Sequence, residues 1–201
     1  MVNIAVFVSG SGTNLQAIID ACQNNQINGK IKLVVSNRKK AYGLERAKQA
    51  NIKALWLKDE DLILSELEKE NIDLVVLAGY LAIVSDKLIS KYTNKIINIH
   101  PSLIPSFCGP GYYGIHVHNE AYKRGVKVSG ATVHFVSNEV DGGPIILQRS
   151  IDISDCNSPE EIQEKILINI EHKLLVEAVS LYCENKIKVE NERVYIVWKE
   201  H

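Results

Sequence analysis

The sequence predicts an α/β domain: an open, mostly parallel twisted sheet with helices on both faces and antiparallel strands in its C-terminal part. Two observations carry that expectation. Short apolar runs at residues 4–8, 31–35, 73–78 and 96–100 alternate with helical segments, as strands buried on both faces of a parallel sheet do. The first run ends in Ser9-Gly10-Ser11-Gly12-Thr13-Asn14 and passes directly into a helix, so the chain opens as strand, glycine-rich turn, helix.

The chain has 201 residues, 46% of them hydrophobic and 23% charged, enough for one domain with a proper core. A single domain over residues 1–201 is expected, since no repeat or linker interrupts it. The net charge of -1 provides no field for a nucleic acid or an anionic membrane surface. An anionic ligand therefore needs a local site. Cys22, Cys108, Cys156 and Cys183 are far apart and form no metal-type pair, which points to a reducing compartment and away from zinc or a disulfide framework. With no leader and no long apolar span, the expectation is a cytoplasmic protein that works without a metal, on small molecules.

Each element has its own signal. In the first helix Leu15, Ile18, Ile19 and Cys22 share a face. The turn before it offers close backbone approach and free N–H groups, which favour an anion. It lacks the third glycine of a dinucleotide fingerprint, because Leu15 stands there, and it lacks a Gly-Lys-Ser/Thr triplet. A phosphate monoester suits it better than a dinucleotide. Residues 31–35 form the second strand, 42–50 a helix and 53–57 a short third strand. Acids at 59–61 open a helix whose stripe is Ile63, Leu64 and Leu67. Residues 73–78 form a strand, followed by an apolar loop and a helix capped by Ser85.

The next strand ends in Asn98-Ile99-His100-Pro101-Ser102-Leu103-Ile104-Pro105. Asn98 and His100 are two apart, so both point to one side, and Pro101 ends regular pairing. An amide and an imidazole thus meet at a strand end, where open α/β sheets bind ligands. A glycine-rich loop at 106–114 can act as a lid, and Cys108 in it reads as a bystander thiol. Residues 116–123 read as a helix, with His116 and His118 as supporting or surface residues. Residues 126–136 alternate as a long strand. Asp141-Gly142-Gly143 marks a turn into a return strand at 145–149. Ser158-Pro159-Glu160-Glu161 opens the last long helix, with Ile162, Ile166, Ile170 and Leu174 every four residues and Glu171 beside them. A terminal hairpin is expected over 188–198, turning at Asn191-Glu192.

Taken together, these motifs resemble the folate-dependent formyltransferases, in their glycinamide ribonucleotide branch. The carrying residues are the block from Ser9 to Ala17, Ser36-Asn37, Ala78-Gly79-Tyr80, the Asn98–Pro105 stretch, and Gly130-Ala131-Thr132-Val133-His134-Phe135-Val136 leading to Asp141-Gly142-Gly143-Pro144. The resemblance implies a Rossmann-like formyltransferase fold and a formyl transfer from 10-formyltetrahydrofolate to the amine of phosphoribosylglycinamide. It assigns catalysis to Asn98, His100 and Asp141. It gives the ribonucleotide to Ser11, Gly12, Thr13, Asn14 and Glu171. The folate wall would be Leu81, Ala82, Ile83 and Val84, with Asn98 and the segment Ser137, Asn138, Glu139, Val140 and Asp141. Relatives often carry an arginine where Ala82 stands, and the loop before Asp59 is short, so the folate tail contacts depart from the family pattern.

No Ser or Cys is placed as a nucleophile. The chemistry expected is attack by the free amine, with Asn98 and a protonated His100 stabilising the oxyanion, and Asp141 raising the His100 pKa and moving the amine's proton. Two alternatives are a formyltetrahydrofolate hydrolase and a non-catalytic phosphometabolite-binding module. The hydrolases usually carry an N-terminal regulatory domain, and a first strand starting at Asn3 leaves no room for one. The binding module gives no reason for Asn98, His100 and Asp141 to occur together.

Overall fold

The computed structural model describes residues 1–197. The expected parallel strands are β1 (Val2–Val8), β2 (Gly29–Ser36), β3 (Lys53–Trp56), β4 (Leu74–Leu77) and β5 (Ile96–His100). β6 (Val128–Phe135) and β7 (Ile145–Asp152) add antiparallel, and the seven strands lie in the order β3-β2-β1-β4-β5-β6-β7. Period-two alternation divides each central strand between two cores. Ile4, Val6 and Val8 pack with α1 (Thr13–Gln23), α2 (Tyr42–Gln49) and the last helix. Ala5 and Phe7 face α3 (Glu60–Lys69) and α4 (Asp86–Lys91). Both faces are covered, which is why the strands read as unbroken apolar runs.

The strand order reverses between β1 and β4. The loops leaving their C-terminal ends diverge there, and the crevice between them is the usual ligand position in such sheets. Ser9 ties the two loops together. Its N–H donates to the Gly79 carbonyl at 3.0 Å, its hydroxyl accepts from Leu81 N at 2.8 Å, and the hydroxyl donates to Asn37 Oδ1 at 2.6 Å.

Helix starts follow the sequence signals. Asp59, Ser85 and Ser158 each accept a first-turn N–H. α1 differs: Gly12, with φ 73°, precedes it and no side chain caps it, so its first N–H groups face outward for a ligand or water. Helix α5 (Ile115–Arg124) lies between the loop after β5 and β6.

Three features depart from the sequence expectation. The last helix is not continuous: α6 (Pro159–Ile166) and α7 (His172–Cys183) are joined by a π-helical turn, Leu167–Glu171. An apolar repeat of four overshoots an α-helical turn by about 40° at each step, and the wider π turn absorbs that drift while keeping Ile162, Ile166, Ile170 and Leu174 buried. β7 runs on to Asp152 because β6 offers partners down to Val128. Its polar stretch at 148–150 faces outward and needs no alternation at a sheet edge. The terminal hairpin is β8 (Ile187–Glu190) and β9 (Arg193–Ile196), turning at Asn191 and Glu192 with φ 48° and 60°; Trp198 lies outside the described residues. Among the described residues, no helix is long and apolar enough to cross a membrane.

The β6–β7 connection packs backbone on backbone. A Cβ on Gly143 would lie 1.9 Å from the Phe135 carbonyl oxygen, which cannot move without opening the hairpin. Gly143→Ala is expected to cost about 1–3 kcal/mol, the usual range for overpacking. Urea unfolding checks this, and an unchanged midpoint contradicts the close packing.

Candidate active site

The antiparallel pairing of β5 with β6 sets Asn98 opposite His134 and His100 opposite Thr132. All four side chains therefore lie on one face. The chain then turns back, and Asp141, in the left-handed region at φ 57°, returns its carboxylate to this face. Asp141 Oδ2 is 3.5 Å from His100 Nδ1, and its Oδ1 is 3.6 Å from His134 Nε2. Asn98 Nδ2 is 3.0 Å from His134 Nε2. His134 Nδ1 sits 2.9 Å from the Phe135 carbonyl, which can only accept, so that nitrogen carries a proton. In the neutral ring Nε2 is then an acceptor for Asn98. This fixes the amide and leaves its second hydrogen free.

The loop after β5 is pinned from below. Thr132 donates its hydroxyl to the Ser102 carbonyl at 2.7 Å and accepts from Ile104 N and Gln148 Nε2. Ser102 donates to the Ser106 carbonyl at 2.6 Å. The loop then lays backbone groups on two candidate catalytic residues. The Phe107 carbonyl accepts from His100 Nε2 at 2.9 Å, and Gly109 N–H donates to Asp141 Oδ2 at 2.9 Å.

Burial governs the imidazole charge. Desolvation pushes the His100 pKa below its ordinary value, although Asp141 and the Phe107 carbonyl pull the other way. Asp141 pulls the pKa upward as expected, but the net shift is downward: at 4% exposure, the cost of burying a cation exceeds the attraction of a carboxylate 3.5 Å away. Burial pushes Asp141 up, but His134, His100 and the Gly109 N–H together hold it below the ordinary carboxylate range. Cys108 donates to the Pro105 carbonyl, and burial with nearby acids raises its pKa, so it stays a thiol.

A cleft of about 640 Å³ joins these groups to the rest of the expected site. Ser11, Gly12, Thr13, Asn14 and Glu171 line it, as do Leu81, Ala82, Ile83 and Val84, the segment Ser137, Asn138, Glu139, Val140 and Asp141, and Asn98 with His100. Every residue that the resemblance assigns to catalysis, the ribonucleotide or the folate thus borders one space. Glu171, which spacing alone suggests is a solvated acid, is buried by the π turn. It accepts from Asn14 Nδ2 at 2.8 Å, while Asn14 Oδ1 has no hydrogen-bond partner among the described residues. Burial drives the Glu171 pKa up to about 7, against the Asn14 hydrogen bond.

Two histidines emerge from the structure rather than from the sequence. His134 holds Asn98; in the sequence it stands in the alternation of β6 and in a block that carries the family resemblance, with no role assigned to it. His118 is 1% exposed, lines the cleft, and has no partner at either ring nitrogen among the described residues. Burial and the neighbouring His100 lower its pKa to about 4. It was expected as a supporting or surface residue, yet it belongs to the buried stripe of α5 with Val117 and Ala121.

The Glu171 shift has a measurable consequence. Below pH 4.5, its ordinary value, the carboxyl is protonated both folded and unfolded. Between 4.5 and about 7 only the unfolded chain ionises, so the stability lost to burial grows with pH and is complete above that range. Glu171→Gln stays neutral throughout. It should therefore stabilise the fold at pH 8 by on the order of 3 kcal/mol and change little at pH 4. Urea unfolding of both proteins at the two pH values checks this, and an equal difference at each would contradict it.

With this geometry in place, comparison with known proteins is informative. A family model described as "Formyl transferase" matches residues 2–179. The phosphoribosylglycinamide formyltransferase of Escherichia coli (strain K12) is 38% identical, covering 96% of this chain and 93% of its own. That of Haemophilus influenzae is 39% identical over 98% and 94%. Among solved structures, glycinamide ribonucleotide transformylase 1 from Symbiobacterium toebii superposes with a TM-score of 0.91 at 40% identity, covering 98% of this chain and 94% of that one. The family model over residues 2–179 and this extent of shared sequence and fold place the chain in the formyl transferase family.

Proposed function

We propose that this protein transfers the formyl group of 10-formyltetrahydrofolate to the amine of 5'-phosphoribosylglycinamide, in the de novo purine pathway. The observation that carries the proposal is the meeting of Asn98, His100 and Asp141 in one cleft that also holds the glycine-rich turn. The relatives are named for this reaction, and the four free cysteines suit a cytoplasmic enzyme.

The cleft fits both ligands. Leu81, Ile83 and Val140 are 41%, 87% and 44% exposed at its walls, and a flat heteroaromatic ring laid over such side chains removes that apolar surface from water. Bound there, 10-formyltetrahydrofolate supplies the formyl carbon. The turn at Ser11–Asn14 takes the phosphate on backbone N–H groups at the start of α1. Asn14 and Glu171, paired in a buried position, take the ribose hydroxyls.

The chain's own groups then divide the work. Asn98, one hydrogen committed to His134, offers the other to the oxygen on which negative charge develops. His100 adds positive charge beside it when protonated. Its Nε2 donates directly only once the Phe107 carbonyl gives way. Asp141, held in its ionised form, takes the proton that the amine loses and passes it to the folate nitrogen as that nitrogen's bond to the formyl carbon breaks, which releases tetrahydrofolate. One oxyanion donor contributes about 10²–10³ in kcat. Asn98→Ala, His100→Ala and Asp141→Asn should each lower kcat by at least about 10²-fold while the protein keeps its fold. Turnover of both substrates, with product identified by mass, checks this. Near-parental turnover by His100→Ala contradicts its role, and formate release that does not depend on the ribonucleotide supports the hydrolase instead.

A further inference from the structure

We infer that Arg46, on α2, is a positioning residue for the substrate phosphate: it holds the glycine-rich turn so that its N–H groups face the cleft, and it supplies from behind the positive charge that the cleft lacks. The inference rests on the reading of that turn as the phosphate site.

Among the described residues, no lysine or arginine lines the cleft. A phosphate monoester carries about two negative charges at neutral pH, and a helix N-terminus offsets only about half a charge. The cation bonded to the turn is Arg46. Its Nε donates to the Ser11 carbonyl at 2.9 Å, and its Nη1 donates to Gln16 Oε1 at 3.2 Å. The guanidinium also lies over the Tyr42 ring, 5.1 Å from its centroid. It is thus fixed from three directions, and it stands on the side of the turn away from the cleft, since no α2 residue lines that space.

The peptide geometry gives this contact its effect. In a trans peptide the C=O and the following N–H point in opposite directions. Gly43 N–H donates to the Gly10 carbonyl at 3.1 Å, and Arg46 takes the next carbonyl, that of Ser11. Two successive carbonyls are drawn toward α2, so the N–H groups of Ser11 and Gly12 turn away from it. The approach is close: a Cβ on Gly12 would lie 2.6 Å from Gly43 Cα. α2 is therefore a clamp that aims the turn, and Arg46 is its charged part. A hydrogen bond from Arg46 polarises the Ser11 peptide and makes the Gly12 N–H a stronger donor to an anion.

The test compares ligands with and without phosphate. Binding of phosphoribosylglycinamide, of its dephosphorylated riboside and of inorganic phosphate is measured by calorimetry for the parent protein, Arg46→Met and Arg46→Lys. KM is measured for both substrates. Arg46→Met should weaken the two phosphate ligands about tenfold, the loss expected for one charge-assisted hydrogen bond. The riboside affinity and the KM for formylfolate should stay at parental values. Arg46→Lys keeps the charge without the planar fork and should recover part of the loss. Unchanged phosphate affinity in Arg46→Met, or equal weakening of phosphate and riboside ligands, overturns the inference. If Arg46→Met does not fold, Arg46→Lys decides: about threefold weaker phosphate binding alone supports the inference, and parental binding overturns it. A parent protein that binds ribonucleotide and riboside equally refutes the turn as a phosphate site, and the inference with it; a phosphate preference that is undiminished in Arg46→Met refutes Arg46 alone.

Discussion

The register between β5 and β6 is the constraint on which the site depends. It sets Asn98 beside His134 and His100 beside Thr132. Because side chains alternate along a strand, a slip of one residue would send His134 into the core and bring Val133 or Phe135 to the cleft. The register is secured by burial: Ile97, Ile99, Ala131, Val133 and Phe135 all belong to the core beneath. The same antiparallel step requires a tight return to β7, and that return carries Asp141. One pairing thus positions the amide, both imidazoles and the carboxylate. An all-parallel continuation after β5 would need a crossover long enough to carry Asp141 elsewhere.

The electrostatics follow from that crowding. Three imidazoles, His100, His118 and His134, and the Asp141 carboxylate share a region with little access to water. Burial works against every charge, and the one group held ionised, Asp141, has the Gly109 N–H and two imidazoles around it. His100 has a single carboxylate, a backbone carbonyl and a neighbouring imidazole, which does not offset desolvation. The loop from Phe107 to Gly109 serves both residues with backbone groups. His100 Nε2 and Asp141 Oδ2 are therefore satisfied without substrate, and a substrate that uses them must replace those contacts with its own.

Much of this was legible in the sequence. Unbroken apolar runs announce strands covered on both faces, and caps at Asp59, Ser85 and Ser158 mark helix starts that the structure reproduces. Asn98 and His100 could be read as neighbours because strand periodicity acts over two residues. Asp141 could not be tied to them by any local rule, since the contact spans a hairpin and depends on register; only the family resemblance joined them. His134 and His118 were hidden for the same reason. A histidine in an alternating strand or on a buried helical stripe looks like any satisfied core residue until its neighbours across the chain are known. The balance on His100 was misjudged because sequence reveals a charged partner more readily than it reveals a depth of burial.

The features that sequence rules handle worst share a physical origin: each breaks regular geometry where the cleft needs it. Gly12 takes φ 73° to leave the start of α1 uncapped. Asp141 takes φ 57°, a conformation that most side chains avoid but Asp tolerates. The π turn at Leu167–Glu171 sets a carboxyl inside the cleft where a continuous α-helix would shift its angle. Each is held by regular structure next to it: Gly12 by its contact with Gly43 of α2, Asp141 by the Gly142 N–H bond to Glu139 that closes its turn, and Glu171 by Ile166, Ile170 and Leu174 anchored in the core. The stability spent on these local departures is supplied by the sheet and its two covered faces, so the cleft can be irregular because the framework around it is not.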